Sequence, residues 1–567
     1  MTRAISGLAL AACVLTGIPA GQPAAPFDLL ITNARIIDGT GGPSVTGSVA
    51  VRDGRIAGAG RISGAAARTI DAGGHAVAPG FIDAHSHSDF SLLTDGNAES
   101  KIRQGVTTEV IGESGSVAPR ARLAPGAEAA DTRGTGVRPD WTDFAGYFAA
   151  IERSKISVNL LSYTGLGQVR EVVMGNDERA PTADELARMT ALVADAAKQG
   201  AYGVATGLIY SPNAYAKLDE LIALSKPAAA AGGIYASHLR FDGDKLRDGL
   251  EEAIAIGEGA RIPVHVFHFK VTGKKNFGRM KEAIGIIEAA RARGLEISAD
   301  QYPYVASSTG LSQTIPPWAH EGGAAKLAER LKDPPTRARI RLEMDNPNPA
   351  WENRLLSAGT WHNVQLASIS DREIDSRSYK KYEGMRIDDA AKAAGRDPYD
   401  FVFDLLIAAH GNVGCVWFII DENDLKLAMR QPWVSVGSDG SALATTGPLR
   451  AGVPHPRNFG TFPRVLGKYV RDEHVITLEQ AVHKMSGLTA SQLHFTDRGL
   501  ITPGFAADLV IFDPATVADR ATFTDPFQYP VGIDTVIVNG RVVLDSGRHT
   551  GERPGVVIRG RGLVQPR

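Results

Sequence analysis

Two histidines close the apolar run at residues 81–89, Phe-Ile-Asp-Ala-His-Ser-His-Ser-Asp, and their i, i+2 spacing lets one strand hold one cation. Alternate side chains of an extended segment point to the same side, so His85 and His87 present their imidazoles together. A bare His-x-His is more often an ordinary surface or core pair. What precedes this one changes the balance: Ala-Val-Ala-Pro-Gly at 76–80 supplies a turn and then a strand, placing the pair where a strand opens onto a loop. Other strand-like runs end on groups of the same kind, namely Glu113, His238, His268 and Asp439. One strand-end histidine is usually structural, but so many potential ligands at strand ends point to a shared site. Imidazole nitrogen and carboxylate oxygen suit zinc or a similar borderline cation with a position left for water, and a bridging carboxylate would accommodate two ions.

These groups need a scaffold that brings strand ends together. Strand-like runs at 81–89, 105–112, 156–163, 202–206, 233–238, 263–268, 295–300 and 434–439 are separated in several places by helical stretches such as 183–199 and 244–256. Eight βα-type units are the number that closes a (β/α)8, TIM-like barrel, whose working groups gather at the C-terminal ends of the strands. The chain is therefore α/β, with the catalytic barrel expected over 79–499. Short alternating strands and Gly-rich turns at 27–78 recur in texture at 500–567, and neither end has strands enough for its own core. Together they predict one small β-sandwich. Residues 322–391 are polar, charged and mostly helical, too long for a loop, and read as an insertion over the barrel mouth. A strand-like run at 413–420 has no place among the eight.

With 567 residues, 43% hydrophobic and 22% charged, the chain has the balance of a globular protein of two or three domains. A net charge of −2 without basic blocks gives no electrostatic reason to expect nucleic acid as a partner. The two cysteines, Cys13 and Cys415, exclude a disulfide framework. Residues 1–26 carry one early cation, an apolar run and small residues, the layout of a secretory signal peptide rather than a transmembrane helix. Export to the periplasm or medium is the expectation. Leu-Ala-Ala-Cys at 10–13 resembles a lipoprotein processing site and makes lipid anchoring at Cys13 the alternative.

Several segments together resemble the amidohydrolase superfamily, and within it the N-acyl-D-amino-acid deacylases (D-aminoacylases). They are the 80–89 segment, Gly-Val-Thr-Thr at 105–108, Thr-Gly-Leu-Ile-Tyr-Ser-Pro at 206–212, Ser-His-Leu-Arg at 237–240 and His-Phe-Lys at 268–270. Tyr-Pro-Tyr at 302–304, Ser-Ser-Thr at 307–309, Gly-Ser-Asp-Gly at 437–440 and His-Pro-Arg at 455–457 complete the set. The resemblance implies that His85, His87 and Asp439 hold one metal position and His238 and His268 the other, with zinc as the metal. It also implies that Tyr210, Lys270, Tyr302, Ser308 and Arg457 contact substrate. A guanidinium at Arg457 suits a bidentate grip on a substrate carboxylate.

The sequence departs from the family where its members carry a cysteine ligand after Gly-Asn; here the text is Gly112-Glu113-Ser114-Gly115. Ser114 takes the cysteine's slot by count, but a neutral hydroxyl is a poor substitute for an anion, so Glu113 is the expected bridge, with a carboxylated Lys270 as the alternative. Oxygen ligands are harder than thiolate and admit manganese or cobalt beside zinc. Asp89 and Arg240 are expected to orient ligands. Phe269 and Leu166, which replace histidines of the family, are expected to alter substrate preference. The implied reaction is hydrolysis of the amide of N-acyl-D-amino acids by metal-activated water, with Asp439 as general base and then acid. A cyclic amidase or dipeptidase on the same scaffold is the competing enzyme, and a non-catalytic exported binding protein the competing class.

Overall fold

In the computed structural model the described residues are 27–121, 136–370 and 374–564. The N-terminal segment with its expected signal peptide and Cys13 lies outside them. The barrel strands are β1 (Phe81–Asp83), β2 (Val106–Ile111), β3 (Asn159–Ser162, resumed after Tyr163 as Thr164–Gly165), β4 (Gly203–Gly207), β5 (Ile234–His238), β6 (Val264–Val266), β7 (Ile297–Gln301) and β8 (Val434–Val436). All pairings among them are parallel, in chain order. A bridge between Ser86 and Gly440 returns the last strand to the first. The expected (β/α)8 barrel is therefore present. Its strands are buried almost throughout, as parallel strands covered by helices must be.

The amphipathic helices follow local rules. Thr182 starts Ala183–Lys198 with a reciprocal capping box to Glu185, and Met189, Val193, Ala196 and Ala197 turn inward. Outside the barrel, both chain ends share one nine-stranded sheet, joined where Ala76–Pro79 runs antiparallel to Leu509–Phe512. Leu29, Ile31, Val49 and Val77 from one end pack with Leu509, Ile511 and Ile537 from the other. Neither end has that core alone.

The strand without a place finds one away from the barrel. Val413–Trp417 is the centre of an antiparallel three-stranded sheet, flanked by Ser307–Gly310 and Val364–Ile369. This sheet and helices such as Ala324–Lys332, Pro334–Met344 and Pro398–Ala408 enclose their own core, including Leu327, Ile340, Leu366, Phe401 and Trp417. Ser307–Gly310 runs along the barrel mouth, so this unit supplies one wall of the cleft described next.

Candidate metal centre and substrate cleft

Strand β1 ends at Asp83, and His85 and His87 lie just beyond it, where the Ser86 N–H still reaches the Val110 carbonyl at 2.8 Å, and their imidazoles converge. Glu113 Oε2 is 2.9 Å from His85 Nε2 and 3.3 Å from His87 Nε2. Gly112 makes that reach available: its φ of +102° is left-handed, and a Cβ there would sit 2.3 Å from the Tyr163 carbonyl oxygen. The other Glu113 oxygen, Oε1, is 3.3 Å from His238 Nδ1. His238 ends β5, and its Nδ1 faces His268 Nε2 at 2.9 Å. Asp439 lies past β8 in a left-handed conformation, φ +49°, with its main-chain N–H donated to the His85 carbonyl at 2.8 Å and Oδ1 3.0 Å from His87 Nε2.

Two sets of ligand atoms result. Those of His85, His87, Glu113 and Asp439 lie within 4.8 Å of one another, and so do those of Glu113, His238 and His268. Glu113 is common to both. Ser114 belongs to neither, its hydroxyl donating to Asn213 Oδ1 at 3.1 Å. Lys270 Nζ is 2.8 Å from His268 Nδ1 and 3.2 Å from Asp242, on the opposite edge of the His268 ring from His238. It does not stand between the two sets.

The electrostatics suit a cation. Burial opposes charge on Glu113, but hydrogen bonds from His238, His85 and His87 hold its carboxyl well below the usual range. Burial acts the same way on Asp439, and Arg457, His85 and His87 overcome it, so this carboxyl is also ionised. His268 is pushed well down by burial and by Lys270, and His238 is lowered mainly by burial, which keeps both rings neutral, the form that ligates metal. His87 differs: burial lowers its pKa, but its bonds to Asp439 and Glu113 outweigh that and raise it to about 10. Two buried carboxylates thus draw a positive charge to this spot, beside the two neutral imidazoles of His238 and His268. Such donors fit one or two borderline cations.

The sets open into a cavity of about 430 Å³ lined also by Tyr210, Lys270, Tyr302, Ser308, Arg354 and Arg457. Arg457 Nη1 donates to Asp439 Oδ2 at 2.7 Å and Nη2 to the Ser308 carbonyl at 3.3 Å, and its guanidinium lies 5.0 Å from the Tyr302 ring centre. The Tyr302 hydroxyl is buried with no hydrogen-bond partner. Tyr210 bridges to Thr309 Oγ1 at 2.8 Å. The expected metal ligands and the expected substrate contacts Tyr210, Lys270, Tyr302, Ser308 and Arg457 therefore border one cleft or its two ligand sets.

Arg354 and Asp242 escaped sequence reasoning. Arg354 is 1% exposed, binds Asp242 through two hydrogen bonds of 2.8 and 3.0 Å, and reaches His238 Nε2 at 3.3 Å. It comes from the insertion, where no strand end marks it. The orienting role expected of Arg240 does not hold, because its guanidinium binds Glu252 and the carbonyls of Ala214 and Ala216. The main chain of Asp89 is held by the Tyr147 hydroxyl at 2.9 Å. Neither Phe269 nor Leu166 lines the cleft: Phe269 packs on Trp433, and Leu166 is in the core between barrel and helices. Their expected effect on substrate preference loses its basis.

Residues 68–544 match the amidohydrolase family. The chain is 38% identical to the D-aminoacylase of Alcaligenes xylosoxydans xylosoxydans over 539 residues, covering 94% of this chain and 98% of that protein. It is 35% identical to the N-acyl-D-glutamate deacylase of the same organism, over 94% and 96%. Among solved structures, the N-acyl-D-glutamate deacylase from Bordetella bronchiseptica, complexed with zinc and a phosphonate mimic of the tetrahedral intermediate, superposes with a TM-score of 0.78 at 35% identity, over 94% of this chain and all of that one. A D-aminoacylase with a binuclear metal centre gives the same TM-score and identity, over 94% and 99%. The chain belongs to the amidohydrolase family, and within it to the D-aminoacylases.

Proposed function

We propose that the protein is a metal-dependent N-acyl-D-amino-acid deacylase, hydrolysing the amide to a carboxylic acid and a D-amino acid. The observation that carries this reading is Glu113, whose two oxygens face the histidines of both ligand sets inside a cleft that also holds Arg457 and Lys270. Glu113 takes the place of the family's cysteine. His85, His87 and Asp439 hold one position and His238 and His268 the other, with Glu113 between them. Zinc, bound to the relative from Bordetella bronchiseptica, is the cation proposed, and an oxygen bridge also admits manganese or cobalt. Bound there, it supplies a Lewis acid that lowers the pKa of water and polarises the substrate carbonyl.

This chain's residues do the rest. Asp439, kept ionised by its surroundings, collects the proton of the attacking water and returns it to the departing amine. Arg457, Lys270 and the Tyr302 hydroxyl bind and orient the substrate's carboxylate. Tyr210 and the Ser307–Gly310 strand close the cleft from the side and limit water.

Hydrolysis assays of metal-reconstituted protein on N-acetyl-D-amino acids, N-acetyl-L-amino acids, dipeptides and hydantoins test this. Release of D-amino acids well above the rest is expected; preference for hydantoins or dipeptides would refute it. Export is part of the proposal and rests on the pattern of residues 1–26. Among the described residues no helix is long and apolar enough to cross a membrane. Cell fractionation tests export, and Cys13→Ser distinguishes simple cleavage from lipid anchoring.

A further inference from the structure

The barrel closes at a seam with almost no strand ladder. Strand β8 pairs with β7 along its length, but toward β1 the main chain offers just the Ser86–Gly440 bridge, the Asp439 N–H to the His85 carbonyl at 2.8 Å and a long contact, 3.5 Å, from the Ala84 N–H to the Val436 carbonyl. Lys101, from the short helix Glu99–Ile102, crosses this seam and is fully buried. Its ammonium donates to Asp83 Oδ2 at 2.6 Å, Ser438 Oγ at 2.8 Å, the Gly440 carbonyl at 2.9 Å and Ser86 Oγ at 3.3 Å. Asp83 also accepts the Ser438 N–H at 2.7 Å and O–H at 2.6 Å, and the Gly440 carbonyl takes the His87 N–H at 2.9 Å.

The turn so held is the one that carries Asp439. Its left-handed backbone is unfavourable for a residue with a side chain and persists only where the surroundings impose it. Lys101 does not line the cleft. A methionine would fill the same space without desolvating a charge, so the ammonium's contribution is directional rather than a gain in packing.

We propose that Lys101 is a positioning residue for the reaction: it clamps the turn bearing Asp439 to the chain segment bearing His85 and His87, and so fixes the path over which Asp439 collects and returns its proton. This rests on the deacylase reading of the site.

The test compares Lys101→Met, the double variant Lys101→Met/Asp83→Asn and the mild variant Ser438→Ala, all in the full metal-reconstituted chain. Arg170→Met, which breaks the buried Arg170–Glu220 pair away from the cleft, serves as a destabilised control. Lys101→Met leaves Asp83 charged and unpaired, so its Tm falls; the double variant removes that charge and recovers most of the loss. Expected for the double variant are wild-type metal content, KM within about threefold, and kcat down about 10²-fold, the scale of a misplaced catalytic group. Ser438→Ala is expected to lose about tenfold in kcat, on the scale of one net hydrogen bond. Arg170→Met is expected to lose Tm with kcat unchanged.

Wild-type kcat in the double variant, or a loss of kcat that only tracks lost metal, overturns the proposal. Should neither Lys101 variant fold, wild-type kcat in Ser438→Ala overturns it. A wild-type protein inactive on the whole substrate panel would instead refute the deacylase reading, and that outcome precedes every variant.

Discussion

Replacing Glu113 by glutamine removes one charge while keeping the shape of the group that faces both ligand sets. Its oxygens lie 2.9 Å from His85, 3.3 Å from His87 and 3.3 Å from His238, so a single substitution takes the anion from both positions at once. Loss of a group that merely orients a metal ligand costs about 10- to 100-fold in affinity. Loss of a shared anionic ligand must exceed that. One effect opposes it: without Glu113 the imidazole of His87 holds its proton less tightly, which makes that ring easier to recruit. The net expectation is weakening by more than about 10²-fold at each position, roughly 3 kcal/mol. Dialysis against graded chelator followed by elemental analysis reads this directly, with circular dichroism to confirm folding. Ser114→Ala, measured in parallel, should match wild type because its hydroxyl faces Asn213. Full metal content in Glu113→Gln, with affinity within tenfold of wild type, or metal loss in Ser114→Ala, would refute the reasoning.

Asp439→Asn is expected to retain most of its metal while turnover falls by at least about 10²-fold, the range of general acid–base catalysis; substantial remaining activity sends the role elsewhere. Arg457→Met should raise KM about 10- to 100-fold through loss of a charge-assisted contact, with Arg457→Lys only partly restoring it, as steady-state kinetics on an N-acyl-D-amino acid will show. For the metal-free protein, His87 has a folded pKa of about 10 against an unfolded value of 6.5. Its stabilising contribution is therefore complete below pH 6.5 and lost as pH rises toward 10. Thermal melts in chelator across that window should show a decline that His87→Gln lacks.

The barrel was legible because its strands are apolar runs of strand length whose ends carry ligands, a pattern local enough to read directly. Which of Glu113 and Ser114 faces the ligands was legible only as chemistry, since their order along the chain does not say which side chain the Gly112 turn aims inward. Lys101 and Asp83 stayed hidden because a buried lysine looks like any helical lysine until its partners, more than 300 residues away at Ser438 and Gly440, are in place. The same holds for Arg354, whose partner Asp242 is 112 positions distant. Strand 413–417 could not be placed by counting barrel strands because its partners belong to another sheet.

The separate core of the inserted unit has a consequence for how such an enzyme can change. The barrel ends carry every proposed metal ligand, whereas the side chains of Ser307, Ser308 and Thr309 bring one wall of the cleft from a body with its own apolar interior. Substitutions that reshape this wall draw on the stability reserve of the insertion and leave the metal-bearing strands undisturbed. Selection, natural or in the laboratory, can therefore explore new acyl groups and side chains there while the hydrolytic apparatus stays constant.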